Sequence, residues 1–295
     1  ILMPVIYNWD EESFPYIRHV VSDYKLGGLF HFGPDPDDQC STLEKLNEIV
    51  KVPLLIASDY ECGVGYMHHN KAAYFPRPMA RGYAGAYETE YKIGKITALQ
   101  AKSIGTHINF GPVIDVNTHH LCPDVNIRAY GEDPEIVIER SIPFIRGLQD
   151  NGVLAAVKHF PGNGGTDMDQ HICTARIDYS KEEFEKVFLE PYKRAFKEAD
   201  PAAVMVAHLE IPSFVNEKVP DSDNLMPASL SKEIVTDLLK KELGFRGLAI
   251  SDAFNMGGVS THFTREEACV KAVVAGIDML LLFDGGGEVA LEVEA

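Results

Sequence analysis

The stretch Lys158-His159-Phe160-Pro161-Gly162-Asn163-Gly164-Gly165-Thr166-Asp167-Met168-Asp169-Gln170-His171 concentrates more reactive side chains than any other part of the chain. Two basic residues follow the apolar run Val153 to Val157, then a glycine-rich segment ends in an Asp-x-His pair. A strand end supplies rigidity, and the glycines let the following loop fold back over a site. Asp169 accepting the Nδ1 proton of His171 would orient the imidazole and raise its basicity. Nε2 is then free to donate to a leaving oxygen and later to deprotonate water. Much further on, Gly247-Leu248-Ala249-Ile250-Ser251-Asp252 sets a carboxylate just past another apolar run. A carboxylate nucleophile with a separate proton donor is the minimal equipment for cleaving a glycosidic bond through a covalent intermediate. Plainer readings stand beside these: Asp252 as a helix cap or ion-pair partner, and His171 as a loop histidine satisfied by its neighbours.

These residues need elements to hold them. Eight short apolar runs recur along the chain: Leu2 to Ile6, Gly28 to Phe32, Pro53 to Ser58, His107 to Ile114, Val153 to Lys158, Ala202 to Ala207, Gly247 to Ser251 and Ile277 to Phe283. Near-continuous apolar character without polar alternation suits parallel strands covered on both faces. Between them, Thr89 to Ser103, Ile136 to Asn151, Ser231 to Leu243 and Glu267 to Ala275 have helical character, the last stopped by Gly276. Ser180 with Glu183 reads as a capping box, and Asp133 before Pro134 as a helix cap. The expectation is an α/β fold, a (β/α)8 TIM barrel spanning residues 1–295, with a doubly wound open sheet as competitor. The abrupt start at Ile1 and the stop just after Gly285-Gly286-Gly287 lead us to expect a barrel trimmed at both ends, with more chain following.

In such a barrel the C-terminal strand ends converge on one site. Those ends supply Asp59, Glu61, Asp115, Asn117, Lys158, His159, His208 and Asp252. Asp59 is a candidate acceptor for sugar hydroxyls or a buried ion-pair partner. Arg128 either serves substrate or pins a carboxylate. Lys158 or His159 would favour an ionised Asp252 and hold a hydroxyl. The irregular stretch Cys62 to Arg81 is long enough to help wall the site.

Composition excludes several classes. The 27 Lys and Arg against 44 Asp and Glu leave a formal charge of −17, which argues against nucleic acid and anionic membranes. No apolar run reaches the length of a membrane span. Five widely spaced cysteines without a Cys-x-x-Cys point to a reducing compartment, hence a cytoplasmic location. The glycine-rich loop lacks dinucleotide and Walker spacings, and the carboxylates form no tight oxygen-ligand loop, so neither a nucleotide cofactor nor a required metal is expected.

The ordered series Gly27-Gly28-Leu29-Phe30, Ile56-Ala57-Ser58-Asp59-Tyr60-Glu61, Gly111-Pro112-Val113-Ile114-Asp115-Val116-Asn117, Arg128-Ala129-Tyr130-Gly131-Glu132-Asp133-Pro134, Lys158-His159-Phe160-Pro161-Gly162, Ser251-Asp252-Ala253 and Ala275-Gly276-Ile277-Asp278-Met279-Leu280 resembles the catalytic barrel of glycoside hydrolase family 3. The likeness is strongest to its β-N-acetylglucosaminidase (β-hexosaminidase) branch. It implies a retaining, cofactor-free hydrolase that removes terminal β-linked N-acetylglucosamine, often from peptidoglycan fragments. It also implies Asp252 as nucleophile and Asp169 with His171 as an Asp-Ser-His dyad in which Gln170 replaces Ser. Asp59, Arg128, Lys158 and His159 would then hold the nonreducing-end sugar, with His208 near that pocket. Two departures bear on substrate preference. Gly162-Asn163-Gly164-Gly165-Thr166 stands where Gly-His-Gly-Asp-Thr is usual, and Glu61-Cys62-Gly63-Val64-Gly65 where Glu-Gly-Gly-Arg-Val is usual. The alternatives are a β-glucosidase or β-xylosidase whose acid/base comes from outside the barrel, and a noncatalytic sugar-binding barrel.

Overall fold

In the computed structural model, which describes residues 1–24 and 26–283, eight parallel strands form a ring. They are β1 (Leu2–Ile6), β2 (Gly28–His31), β3 (Leu55–Ser58), β4 (Ile108–Asn109), β5 (Leu154–Phe160), β6 (Ala203–Val206), β7 (Leu248–Ser251) and β8 (Leu280–Leu282). Each pairs with the next in chain order, and β8 pairs with β1 through Leu2 opposite Leu280. The ring closes between β7 and β8 by a bridge of Ile250 with Met279, where Ser251 N–H donates to the Met279 carbonyl at 3.0 Å. The expected (β/α)8 barrel is therefore the observed architecture, and closure removes the open-sheet competitor.

Every apolar run forms strand; Leu2 to Ile6 does so in full, the strand from Val153 to Lys158 runs on to Phe160, and the other six are shortened. The largest difference is in His107 to Ile114, of which only Ile108–Asn109 forms regular strand, while Val113 makes an isolated bridge to Lys158. Pro112 lacks an amide hydrogen, so the ladder breaks there. The runs lack polar alternation because both faces are buried. Met3, Val5, Phe30, Ala57, Ile108, Ala156, Ala203, Met205, Ile250 and Leu281 pack in one cluster. Their strand neighbours Leu29 and Ile56, or Val157, Val204 and Ala249, pack in others. One residue set fills the barrel, and the alternate set meets the helices.

Helices Tyr87–Ser103, Pro134–Gln149 and Arg265–Ala275 each begin two residues before their predicted starts. Asp133 caps the second by accepting from Glu135 N–H, and Ser180 with Glu183 forms the predicted capping box. Gly276 ends the third at φ 113°, a left-handed conformation that glycine adopts without penalty. The segment after Ser231 is wound as a π-helix over Glu233–Glu242, and the Ser231 hydroxyl does not cap it; the Ser231 carbonyl accepts from Ile234 and Val235 instead. The glycines of 285–287 lie outside the described residues.

Candidate active site

A cavity of ≈ 350 Å³ opens over the C-terminal end of the barrel. Its floor is the top of the barrel core, with Phe110, Met205 and Leu281 on its surface. Phe32, Met256 and Phe283 extend this apolar side. The polar lining includes Asp59, Arg128, Lys158, His159, Gln170, His171 and Asp252. Of the eight predicted site residues, six thus line one cavity. Asp169 sits behind His171, and His208 lies deeper.

The polar wall is built from strand ends. Lys158 and His159 are consecutive on β5, and neighbours on a regular strand face opposite ways. Both nevertheless reach the cavity, because the pairing of β5 with β6 shifts register between Val157 and Phe160. Lys158 Nζ donates to Asp59 Oδ1 at 2.6 Å and to Glu61 Oε1 at 2.9 Å. Arg128 donates from Nη2 to Glu61 Oε1 at 2.8 Å and from Nε to Glu61 Oε2 at 3.2 Å. Glu61, read from sequence only as one more strand-end carboxylate, is the pivot between the two cations. Burial favours its neutral form, but Arg128 and Lys158 outweigh this and hold the carboxyl well below its usual range. Burial likewise opposes the Lys158 ammonium, yet Asp59 and Glu61 leave it above its ordinary value.

His159 is held from behind. Its Nδ1–H donates to Asp115 Oδ2 at 2.6 Å and its backbone N–H to Asp115 Oδ1 at 3.0 Å. Burial disfavours the imidazolium, but Asp115 overcomes that and raises the histidine above its ordinary value. While neutral, its Nε2 accepts from Arg128 Nη2 at 3.3 Å. Arg128 therefore pins carboxylates, one of its two anticipated roles, from within the cavity wall.

The second half of the site hangs on loops. His171 Nδ1–H donates to Asp169 Oδ1 at 2.7 Å, and the His171 backbone N–H donates to the same oxygen at 2.9 Å. The His171 side chain is 55% exposed, in contrast to 3% for Lys158. Asp252 follows β7, and its Oδ1 accepts from the Ala253 backbone N–H at 2.8 Å. The next turn abuts the dyad loop, with Gly257 N–H donating to the His171 carbonyl at 2.9 Å. Only a glycine fits there, since a Cβ at Gly257 would stand 2.2 Å from the Ile172 backbone.

Two expectations change. His208 is fully buried, with Nδ1 against Ser229 Oγ at 2.6 Å and Nε2 against the Ala253 carbonyl at 3.0 Å. Burial lowers its pKa, and a neutral ring with both nitrogens occupied supports the backbone beside Asp252 from beneath the cavity. The stretch Cys62 to Arg81 contributes no cavity-lining residue. It folds away through a 3₁₀ turn at Val64–Tyr66, and Arg81 is buried against Glu90 at 2.7 Å.

Sequence reasoning did not single out Asp124. Its Oδ1 accepts from Arg128 Nη1 at 2.7 Å, and its Oδ2 accepts from Asn163 Nδ2 and Gln170 Nε2, each at 2.8 Å. The only sequence signal was its position four residues before Arg128, a spacing at which opposite charges meet on a helical turn.

Among the described residues, no group of three or more His, Cys, Asp or Glu side chains is placed to hold a metal ion, and no helix is long and apolar enough to cross a membrane.

This is a (β/α)8 barrel with carboxylates and an imidazole around a cavity at its strand ends, the usual place for a barrel's active site. The profile described as glycosyl hydrolase family 3 N terminal domain matches residues 12–288, and the chain belongs to that family. It is 30% identical over 283 residues to β-hexosaminidase A of Pseudoalteromonas piscicida, covering 91% of this chain and 47% of that protein. It is 29% identical over 280 residues to a β-N-acetylglucosaminidase/β-glucosidase of Cellulomonas fimi, covering 94% and 49%. Among solved structures, a family 3 β-N-acetylglucosaminidase from Paenibacillus sp. str. FPU-7 superposes with a TM-score of 0.88 at 30% identity, covering 96% of this chain and 53% of that one. The β-glucoside phosphorylase BglX bound to 2FGlc gives 0.88 at 26% identity, covering 99% and 52%. The chain thus spans about half the length of these relatives.

Proposed function

We propose that this barrel is the catalytic unit of a retaining glycosidase that releases terminal β-linked N-acetylglucosamine. In the first step an Asp252 carboxylate oxygen bonds to the anomeric carbon as the glycosidic C–O bond breaks, and the Nε2 proton of His171 passes to the departing oxygen. In the second step His171 takes a proton from water, whose oxygen displaces Asp252 and restores the original anomeric configuration. Asp169 keeps Nδ1 protonated throughout, so that Nε2 is the nitrogen exchanging protons. Lys158, Asp59 and Arg128 are the groups proposed to receive the sugar hydroxyls.

The observation carrying this reading is the Asp169–His171 contact at 2.7 Å on a cavity that Asp252 also lines. The barrel brings its own proton donor, whereas a glucosidase or xylosidase reading needs one from elsewhere. The names of the relatives, hexosaminidases and a β-N-acetylglucosaminidase among them, support the same sugar. The similar β-glucoside phosphorylase supports a second acceptor, inorganic phosphate in place of water.

The test is a parallel assay of nitrophenyl N-acetylglucosaminide, glucoside and xyloside, with and without phosphate, followed by mass spectrometry after trapping with a fluoro-sugar. The expected result is preference for the N-acetylglucosaminide and a covalent adduct on Asp252. An adduct elsewhere, or ligand binding without turnover that removal of the Asp252 carboxylate leaves unchanged, overturns the reading. A sugar phosphate product would select phosphate as acceptor.

A further inference from the structure

The His171 loop has to be held over the cavity by something, because the imidazole itself is mostly exposed. Its residue Gln170 is the opposite, only 1% exposed and saturated with partners. Gln170 Oε1 accepts from His208 N–H at 3.0 Å. Its Nε2 donates to Asp124 Oδ2 at 2.8 Å and reaches Asp252 Oδ2 at 3.4 Å. One buried carboxamide thus touches the nucleophile candidate, the strand end that carries His208, and Asp124. Asp124 in turn joins three parts of the site. Its Oδ1 and backbone carbonyl accept from Arg128 Nη1, and its Oδ2 accepts from Gln170 and from Asn163, at the start of the same loop. The His171 ring lies within 4.0 Å of Oδ1.

We infer that Asp124 and Gln170 form a latch that positions the His171 loop against Asp252, making both of them positioning residues for proton transfer. Asn163 and Gln170 are two of the departures from the family pattern in this chain, and both donate to the same Asp124 oxygen. A carboxylate is required there because every neighbour is a donor. Arg128, Asn163 and Gln170 present only N–H groups to Asp124, and an amide in its place would turn an NH₂ toward one of them. Burial alone would raise the Asp124 carboxyl, but Arg128 and the two histidines outweigh it, so the group stays ionised.

This inference rests on His171 being the acid/base, and the experiment separates the two ideas. D124N and Q170A are assayed beside H171A on a dinitrophenyl glycoside, whose leaving group departs without protonation, and on a natural disaccharide, whose leaving group needs it. A displaced imidazole predicts that D124N and Q170A lose about a hundredfold in kcat/KM on the disaccharide, in line with small misplacements of a catalytic group, and about threefold or less on the dinitrophenyl substrate. In an H171A background the same substitutions should add almost nothing on the disaccharide. Equal losses on both substrates, or full additivity with H171A, overturn the latch. If H171A itself shows no leaving-group dependence, the acid/base assignment fails instead. Q170A keeps the Asp124–Arg128 pair, so it reports on the latch even where D124N unfolds the protein. Azide rescue separates displacement from collapse, since a well-folded D124N should regain turnover of the dinitrophenyl glycoside in the second step.

Discussion

The two walls of the cavity are held in opposite ways. On the strand-end wall, Glu61, Lys158, Asp115 and His159 are buried and each charge meets at least one opposite charge. On the loop wall, His171 and Asp169 are 55% and 27% exposed and contact each other at 2.7 Å, with the Asp124 carboxylate 4.0 Å from the ring. Groups that only bind can be immobilised by mutual pairing in a low-dielectric wall. A group that gives up and takes back a proton needs water and leaving-group access, which full burial would deny. With the proposed roles, this difference sets the binding groups on the rigid barrel and the proton carrier on a loop.

The sharpest way to break this division is at Asp252. D252A should lower kcat by about four orders of magnitude or more, because losing a nucleophile removes the covalent route altogether. Residual turnover near the wild-type level would place the nucleophile elsewhere. Next, H171A should cost about a hundredfold to ten-thousandfold on substrates with poor leaving groups. Added azide should restore turnover of activated substrates; unchanged rates on every substrate would move the proton donor off the loop wall.

On the strand-end wall the largest effect is on stability. E61Q leaves Arg128 and Lys158 short of a charge, and chemical denaturation should show a loss of about 3–5 kcal/mol. The pH dependence follows from the sign of the shift. Glu61 has a folded pKa below its unfolded value, so its stabilisation is complete above that unfolded value, about 4.3, and is lost as pH falls through the folded one. The gap between wild type and E61Q should therefore be flat near neutrality and narrow by about 1.4 kcal/mol per pH unit below pH ~4. A gap that widens in acid would contradict the ionised state of Glu61. The smallest expected stability effect lies on the loop wall, where D169N should change unfolding free energy by less than about 1 kcal/mol while lowering turnover, since the pair it breaks is solvent-facing. A large stability loss there would erase the contrast between the walls.

A further buried group tests the barrel's outer layer in the same way. His31 has no cavity role. Burial and its neighbour His68 lower its pKa to about 3. The unfolded chain then binds the extra proton between pH about 6.5 and 3, so stability falls as pH drops through that window. H31Q should flatten that slope.

Much of this was legible in the chain itself. Eight apolar runs separated by helix-length segments point to a parallel α/β sheet and make a barrel the leading expectation, because a strand buried on both faces has no reason to alternate; closure itself came from the bridge of Ile250 with Met279. Strand-end polar residues converge once the ring closes, so the placement of Asp59, Lys158, His159 and Asp252 on one cavity followed from counting runs. The Asp169–His171 contact is local, two residues apart, and spacing alone proposes it. What the chain did not disclose depends on partners far apart in sequence. Glu61 is 67 residues from Arg128, and Gln170 is 82 residues from Asp252. His208 left the cavity because Ser229 and the Ala253 carbonyl occupy its ring from below. Cys62 to Arg81 stays off the cavity, with Arg81 buried between Glu90 and the Glu61 carbonyl. Periodicity reports which face of an element is buried. Which donor finds which acceptor between loops is decided only when the closed ring brings those loops within hydrogen-bond reach.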